Sequence, residues 1–209
     1  MRLLTLAVAL FASLSAALAA DTPAVEFDGQ RYSLGYEDQA TLQDGQPGEG
    51  LAEFTLPGES VEDWSKLFAF HAYPQMGNDP VAAVEAVGKA VKETNKDANY
   101  AIVANDKTGD AIIDFLTWAP ESDVMEFNVF KYARAADGRG LVAMQYAQHV
   151  RLGEMDVEGM RALRARSVAN MAAADIRQAQ KYFAGKRARS ASDAGGKGKP
   201  SFARAGEGN

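Results

Sequence analysis

Residues 100–104, 111–118, 124–133 and 141–150 read as strands, and apolar and polar positions alternate clearly with a period of two in the third, the mark of a half-buried strand. In the third of these, Met125, Phe127 and Val129 share one face, while Glu126, Asn128 and Phe130 share the other. Turn-forming runs separate the four: Asp106-Lys107-Thr108-Gly109, Pro120-Glu121-Ser122-Asp123 and Asp137-Gly138. They are therefore expected to form an antiparallel meander. Nearer the N-terminus, Val25-Glu26-Phe27 and residues 31–36 flank Asp28-Gly29, a strong hairpin signal. Residues 38–50 are rich in Gly, Gln and Asp and are expected as a loop. Residues 51–56 alternate again and stop at Pro57-Gly58. Ser60-Val61-Glu62-Asp63 has capping-box spacing and predicts a short helix carrying Trp64. Residues 66–73 then read as an apolar, aromatic strand ended by Pro74.

Two stretches change to helical spacing. Asp79-Pro80 places a cap and a first-turn proline together, and Val81, Val84, Val87 or Gly88, and Val91 continue one apolar stripe to about Asn95. From Asp156 to Phe183, Met160, Leu163, Ser167 or Val168, Met171 and Ala174 form a second stripe. That pattern predicts one long C-terminal helix across a sheet face. The fold class is α+β: a mainly antiparallel sheet with a four-strand C-terminal meander, an amphipathic mid-chain helix and a long C-terminal helix.

The first residues change the picture of where this domain works. Met1-Arg2 precedes an uncharged stretch from Leu3 to Ala20, and Ala17-Leu18-Ala19 fits the small-residue exit of a secretory signal. Its length also suits a retained anchor, which needs roughly 18–20 apolar residues. The Ala- and Ser-rich exit favours cleavage after Ala19. Residues 1–19 are thus expected to be a signal peptide, residues 20–184 a single periplasmic or secreted domain, and residues 185–209 a disordered basic tail. Absence of cysteine means the domain must stand on its apolar core without disulfides, and it removes thiolate chemistry.

Charge is uneven. The chain carries −6 overall, but residues 185–209 hold six Lys/Arg against two Asp/Glu. Setting aside that tail's +4 and the +1 of Arg2 leaves −11 on the domain itself. Such a body repels nucleic-acid phosphates, so no nucleic-acid partner is expected. The basic tail suits a weak contact with an anionic membrane surface.

Candidate chemistry is sparse. A third hairpin turning at Asp137-Gly138, with Ala136 opposite Arg139, sets Glu126 opposite His149 with Arg151 nearby. A carboxylate beside an imidazole is a general-base arrangement, and these two are the catalytic candidates. A cross-strand pair worth about 0.2–1 kcal/mol on a solvated face is the plainer account. Trp64, Phe68, Phe70, His71 and Tyr73 are the ligand-binding candidates, as an aromatic wall, against ordinary core packing. His71 alone reads as a half-buried histidine bonded to backbone. Asp114 or Glu126 with the two histidines would be the donors of a zinc site, but no histidine spacing supports one, and no cofactor is implied. There is no G-x-S-x-G elbow, S-x-x-K or phosphate loop.

The strand, the run Leu56-Pro57-Gly58-Glu59-Ser60-Val61-Glu62-Asp63-Trp64, the aromatic strand, the amphipathic helix and the meander together resemble bacterial exported domains of unknown function. Over residues 25–183 the order of elements is also similar to the Mog1/PsbP-like α/β sandwich. That resemblance implies a non-enzymatic accessory or binding protein and carries over no catalytic residues. The expectation is thus an exported, non-enzymatic periplasmic protein that binds a partner protein or a small envelope ligand. The alternative is a small hydrolase-like envelope enzyme using His149 with Glu126.

Overall fold

A computed structural model describes residues 22–42, 46–119 and 121–195. The expected signal peptide and residues 196–209 of the expected tail lie outside the described residues. Eight strands form one antiparallel sheet: β1 (Ala24–Phe27), β2 (Gln30–Thr41), β3 (Pro47–Thr55), β4 (Lys66–Tyr73), β5 (Tyr100–Asn105), β6 (Asp110–Trp118), β7 (Val124–Arg134) and β8 (Leu141–Arg151). Their spatial order is β1-β2-β3-β4-β8-β7-β6-β5, so β4 and β8 join an N-terminal and a C-terminal run of consecutive strands. Helix α1 (Pro80–Thr94) links β4 to β5 across one face. Helices α2 (Val157–Ala173) and α3 (Arg177–Gly195) cover the other. Among the described residues no helix is long and apolar enough to cross a membrane.

Local chemistry explains the turns. Asp28 and Gly29 both take positive φ, 50° and 70°, which a two-residue hairpin with the sheet's right-handed twist requires. Asp28 also binds α2, accepting from Arg166 Nε at 3.1 Å and Asn170 Nδ2 at 2.7 Å. At the start of α1, Asp79 Oδ1 accepts from the backbone N–H of Val81 and Ala82, with Pro80 in the first turn where its missing N–H costs nothing.

The larger core lies under α2 and α3. Phe27, Tyr32, Phe54, Phe68, Phe70, Phe127, Met144 and Tyr146 from the sheet meet Leu163 and Met171 of α2 and Phe183 of α3. The smaller core lies under α1, where Val84 and Val91 pack on Ile113, Phe115, Tyr132 and Leu141.

Four expectations need correction. Residues 38–50 are not simply a loop: β2 runs to Thr41 and β3 starts at Pro47. Glycine at position 50 reflects a close approach, because a Cβ there would sit 2.6 Å from Phe183 Cε1. No helix forms at Ser60. Its Oγ accepts from the backbone of Glu62 and Asp63 in a closed turn, and β4 begins at Lys66, too soon for a helix to follow. The expected single long helix is two, because Ala174 adopts an extended ψ of 136° and Asp175 Oδ1 then accepts from Arg177 N–H to start α3. Finally, α3 passes the composition change at residue 185 and ends at Gly195. Docking of Ala179 and Phe183 supplies the nucleus, and the Ala, Arg and Lys that follow are good helix formers.

Candidate functional site

Strand parity decides which candidates share a surface. Phe68 and Phe70 point into the core beneath α2 and α3, where Phe68 lies 5.0 Å from Phe27 and Phe70 lies 5.6 Å from Tyr182, ring to ring. Leu67, Ala69, His71 and Tyr73 point to the α1 side, as do His149 and the Trp64 ring stacked on it. The expected aromatic wall is therefore split by the sheet. Asp114 is also on the far side, where Arg164 of α2 grips its carboxylate with Nε at 2.5 Å and Nη2 at 2.9 Å. It cannot join the histidines as a ligand. Among the described residues no group of three or more His, Asp and Glu side chains could hold a metal ion.

The two histidines are joined instead by a chain of side chains on the α1-side face, beyond the area that α1 covers. The β7–β8 register sets Glu126 opposite His149, as the spacing predicts. His71 Nε2 lies 2.8 Å from Gln145 Oε1, Gln145 Nε2 donates to Asn128 Oδ1 at 2.8 Å, and Asn128 Nδ2 donates to Glu126 Oε1 at 2.8 Å. Glu126 Oε2 then faces His149 Nε2 at 3.7 Å. Beyond it, His149 Nδ1 meets the Trp64 carbonyl at 2.8 Å. His71 is thus bonded to a side chain, not to backbone as its parity alone suggests.

The partners assign the protons. A carbonyl only accepts, so His149 carries a hydrogen on Nδ1, and in the neutral ring Nε2 then presents its lone pair to Glu126. Gln145 uses its NH₂ on Asn128, so its oxygen accepts from His71 Nε2–H. The donors of His71, Gln145 and Asn128 all point toward Glu126, while His149 Nδ1–H points away, to Trp64. Asn128 is 2 % exposed and spends its amide on one carboxylate oxygen, which aims the other at the imidazole. The Trp64 indole stacks on the His149 ring at 3.8 Å and 17°, and fixes its plane. The Glu126 and His149 side chains are each 35 % exposed, so solvent reaches the gap between them.

Burial, opposed by the hydrogen bond to Gln145, pushes the His71 imidazole down to about 4 from an ordinary 6.5. The unfolded chain therefore holds the extra proton between those values and the folded chain does not. The stability from a neutral His71 is present above about pH 6.5 and is lost as the pH falls toward 4. Thermal midpoints at pH 7 and pH 5 are expected to differ more for the wild type than for His71→Asn. Equal drops in the two proteins would refute this.

Sequence reading finds the Glu126–His149 pair but misses Gln145, Asn128 and the Trp64 carbonyl. The available signal is parity. Glu126 and Asn128 alternate on β7, and Gln145 and His149 alternate on β8, so four polar side chains fall on one face of two adjacent strands.

A family model matches residues 19–176, and the chain belongs to that family, a family of uncharacterised proteins. No curated protein and no solved structure matches the chain.

Proposed function

We propose that this family member is exported to the periplasm and acts there without catalysis. Its role on this reading is to bind a partner protein or a small envelope ligand at the end of the α1-side sheet face marked by Trp64, His149 and Glu126. One observation carries the reading: His149 Nε2 and Glu126 Oε2, both acceptors when the ring is neutral, face each other at 3.7 Å with their other bonds already made. That separation exceeds a hydrogen bond and leaves an unfilled demand for a donor.

The same geometry argues against a hydrolase. In a serine-type site the carboxylate orients the imidazole through one nitrogen, and the other activates a nucleophile. Here a backbone carbonyl does the orienting, and the free nitrogen meets the carboxylate. The nearby Ser65 hydroxyl donates to Glu59 Oε1 at 2.6 Å. Export is supported by the basic start, apolar run and Ala17-Leu18-Ala19 exit of the N-terminus. The similarity of element order to the Mog1/PsbP-like sandwich supports a binding role in the same way.

Native mass spectrometry of the mature protein from its own periplasm, followed by amide exchange with the captured species, tests this reading. The expected result is a bound species that protects residues 64–67 and 147–150. Protection instead at the separate cleft of about 400 Å³ lined by Tyr100, Phe115, Leu116 and Met160 would move the site elsewhere. Turnover of an ester or amide that His149→Ala abolishes would overturn the non-catalytic reading.

A further inference from the structure

We infer that the gap between His149 Nε2 and Glu126 Oε2 is a recognition site for a primary ammonium group. The inference rests on the binding reading above and names the chemistry of what is bound. With the His149 ring neutral, both atoms that face the gap accept hydrogen bonds, and one is a carboxylate oxygen, so the missing group must donate at least two bonds and favours positive charge. An ammonium is compact and has three rotatable donors, which allows it to bridge acceptors 3.7 Å apart. A guanidinium is a poorer match. Its rigid fork suits the closer pair of oxygens within a single carboxylate, and Asn128 already occupies Glu126 Oε1.

Neighbouring groups agree with a cation and do not supply one. Among the described residues no lysine or arginine pairs with Glu126. Lys66 Nζ is spent on Gln30 Oε1 at 2.8 Å, and Arg151 on Asp123 at 2.9 Å. Glu53, on the same face of β3, has its carboxyl raised first by burial and then by the carboxylate of Glu62, so the surroundings on that side are acidic.

The rest of the chain acts by positioning. Amide groups do not titrate in water, so Gln145 and Asn128 are fixed links and carry no proton between the histidines. They lock the Glu126 carboxylate in one rotation, while the Trp64 carbonyl and ring lock the imidazole. Both acceptors are therefore aimed before the ligand arrives, which lowers the entropy cost of binding. The ammonium can belong to a small amine or to a lysine side chain of a partner, and these differ only in what surrounds the shared group.

Nuclear magnetic resonance of the mature protein at pH 8 tests this. Propylammonium, tetramethylammonium, guanidinium and an N-terminally blocked lysine peptide are titrated at matched ionic strength, with the His149 Nε2 resonance as readout. Propylammonium is expected to give a saturable shift. Glu126→Gln, which keeps the shape of a partly exposed side chain, is expected to weaken binding at least 10-fold, on the order of one charge-assisted hydrogen bond. Binding of the lysine peptide more than 10-fold tighter than propylammonium would assign the site to a partner protein, and comparable affinities to a small amine.

An equal response to tetramethylammonium, which has no N–H, would reduce the effect to screening and overturn the assignment. Silence toward every cation, with a captured species still protecting residues 64–67 and 147–150, would overturn the ammonium class and leave the binding site standing. Silence with no such protection would remove both.

Discussion

Lys131→Met is expected to lower the stability of the domain by about 3–5 kcal/mol, the cost of stranding a buried charge and its acceptors. Lys131 is 5 % exposed and reaches from β7 to the end of α2. Its Nζ donates to the carbonyls of Ala172 at 3.0 Å and Ala174 at 2.9 Å, and pairs with Asp110 Oδ2 at 3.0 Å. The last carbonyls of a helix have no partners within it, and α2 stops where Ala174 turns to an extended conformation. One ammonium therefore caps α2 with its positive charge at the negative end of the helix dipole and neutralises a carboxylate that is itself 8 % exposed. Methionine keeps the length and removes all three interactions. For a domain of this size the thermal midpoint should fall by roughly 6–20 °C. Lys131→Met combined with Asp110→Leu should recover part of the loss, because the unpaired charge goes too. Lys89→Met, at a solvent-exposed pair on α1, should change stability by less than about 0.5 kcal/mol. A Lys131→Met protein that melts with the wild type would show that α2 does not depend on this contact.

The elements that alternation defines best are those whose two faces differ in burial. β7 has Phe127 and Val129 against the helices, and its bounds and register follow from that contrast. Composition misleads where tertiary contacts override it. Gly48 and Gly50 look like loop residues, yet their missing side chains make room, at Gly48 for Ala40 of β2 and at Gly50 for Phe183 of α3. At Ser60 a capping signal is present without space for a helix, because the strand that follows begins within a few residues. The break between α2 and α3 is hidden in Ala172-Ala173-Ala174, which no propensity argument would choose as a hinge. Asp175 as the cap of a new helix is the only local sign.

Half of the candidate site is legible for the same reason. Glu126 and His149 are found through register arithmetic, which depends on one turn. Gln145 and Asn128 escape because uncharged polar residues on an alternating strand read as a solvated face. Asn128 at 2 % exposure contradicts that reading only once the neighbouring side chains are in place. Trp64 contributes by its backbone oxygen, which no side-chain pattern reveals.

The turn on which the site depends supplies the other large effect: Gly140→Ala is expected to destabilise the protein by roughly 2–5 kcal/mol, combining a left-handed backbone with overpacking. The β7–β8 connection is longer than a two-residue turn at Asp137-Gly138. It runs over residues 135–140, with Ala135 N–H donating to Gly140 O at 3.1 Å and Gly138 N–H donating to Ala135 O at 2.9 Å. The Ala135–Gly140 pair has the same numerical sum as Glu126–His149, so the longer loop keeps the predicted register. Gly140 has φ +72°, and a Cβ there would meet the Tyr73 carbonyl oxygen at 2.1 Å and Pro74 Cα at 2.7 Å. Those are backbone atoms at the end of β4 and have nowhere to swing. Gly140 N–H also donates to Asn78 Oδ1 at 2.7 Å, which ties the turn to the segment leading into α1. Gly138 provides the control: its φ is +73°, but nothing lies within 4 Å of its Cβ position. Gly138→Ala should cost only the conformational part, about 1–2 kcal/mol. Urea unfolding of the two variants separates the contributions, and similar losses at both positions would mean that β4 yields to the new methyl group. If Gly140→Ala also shifts the β7–β8 pairing, the His149 ring resonances should move with it, although position 140 lies at the opposite end of β8 from His149.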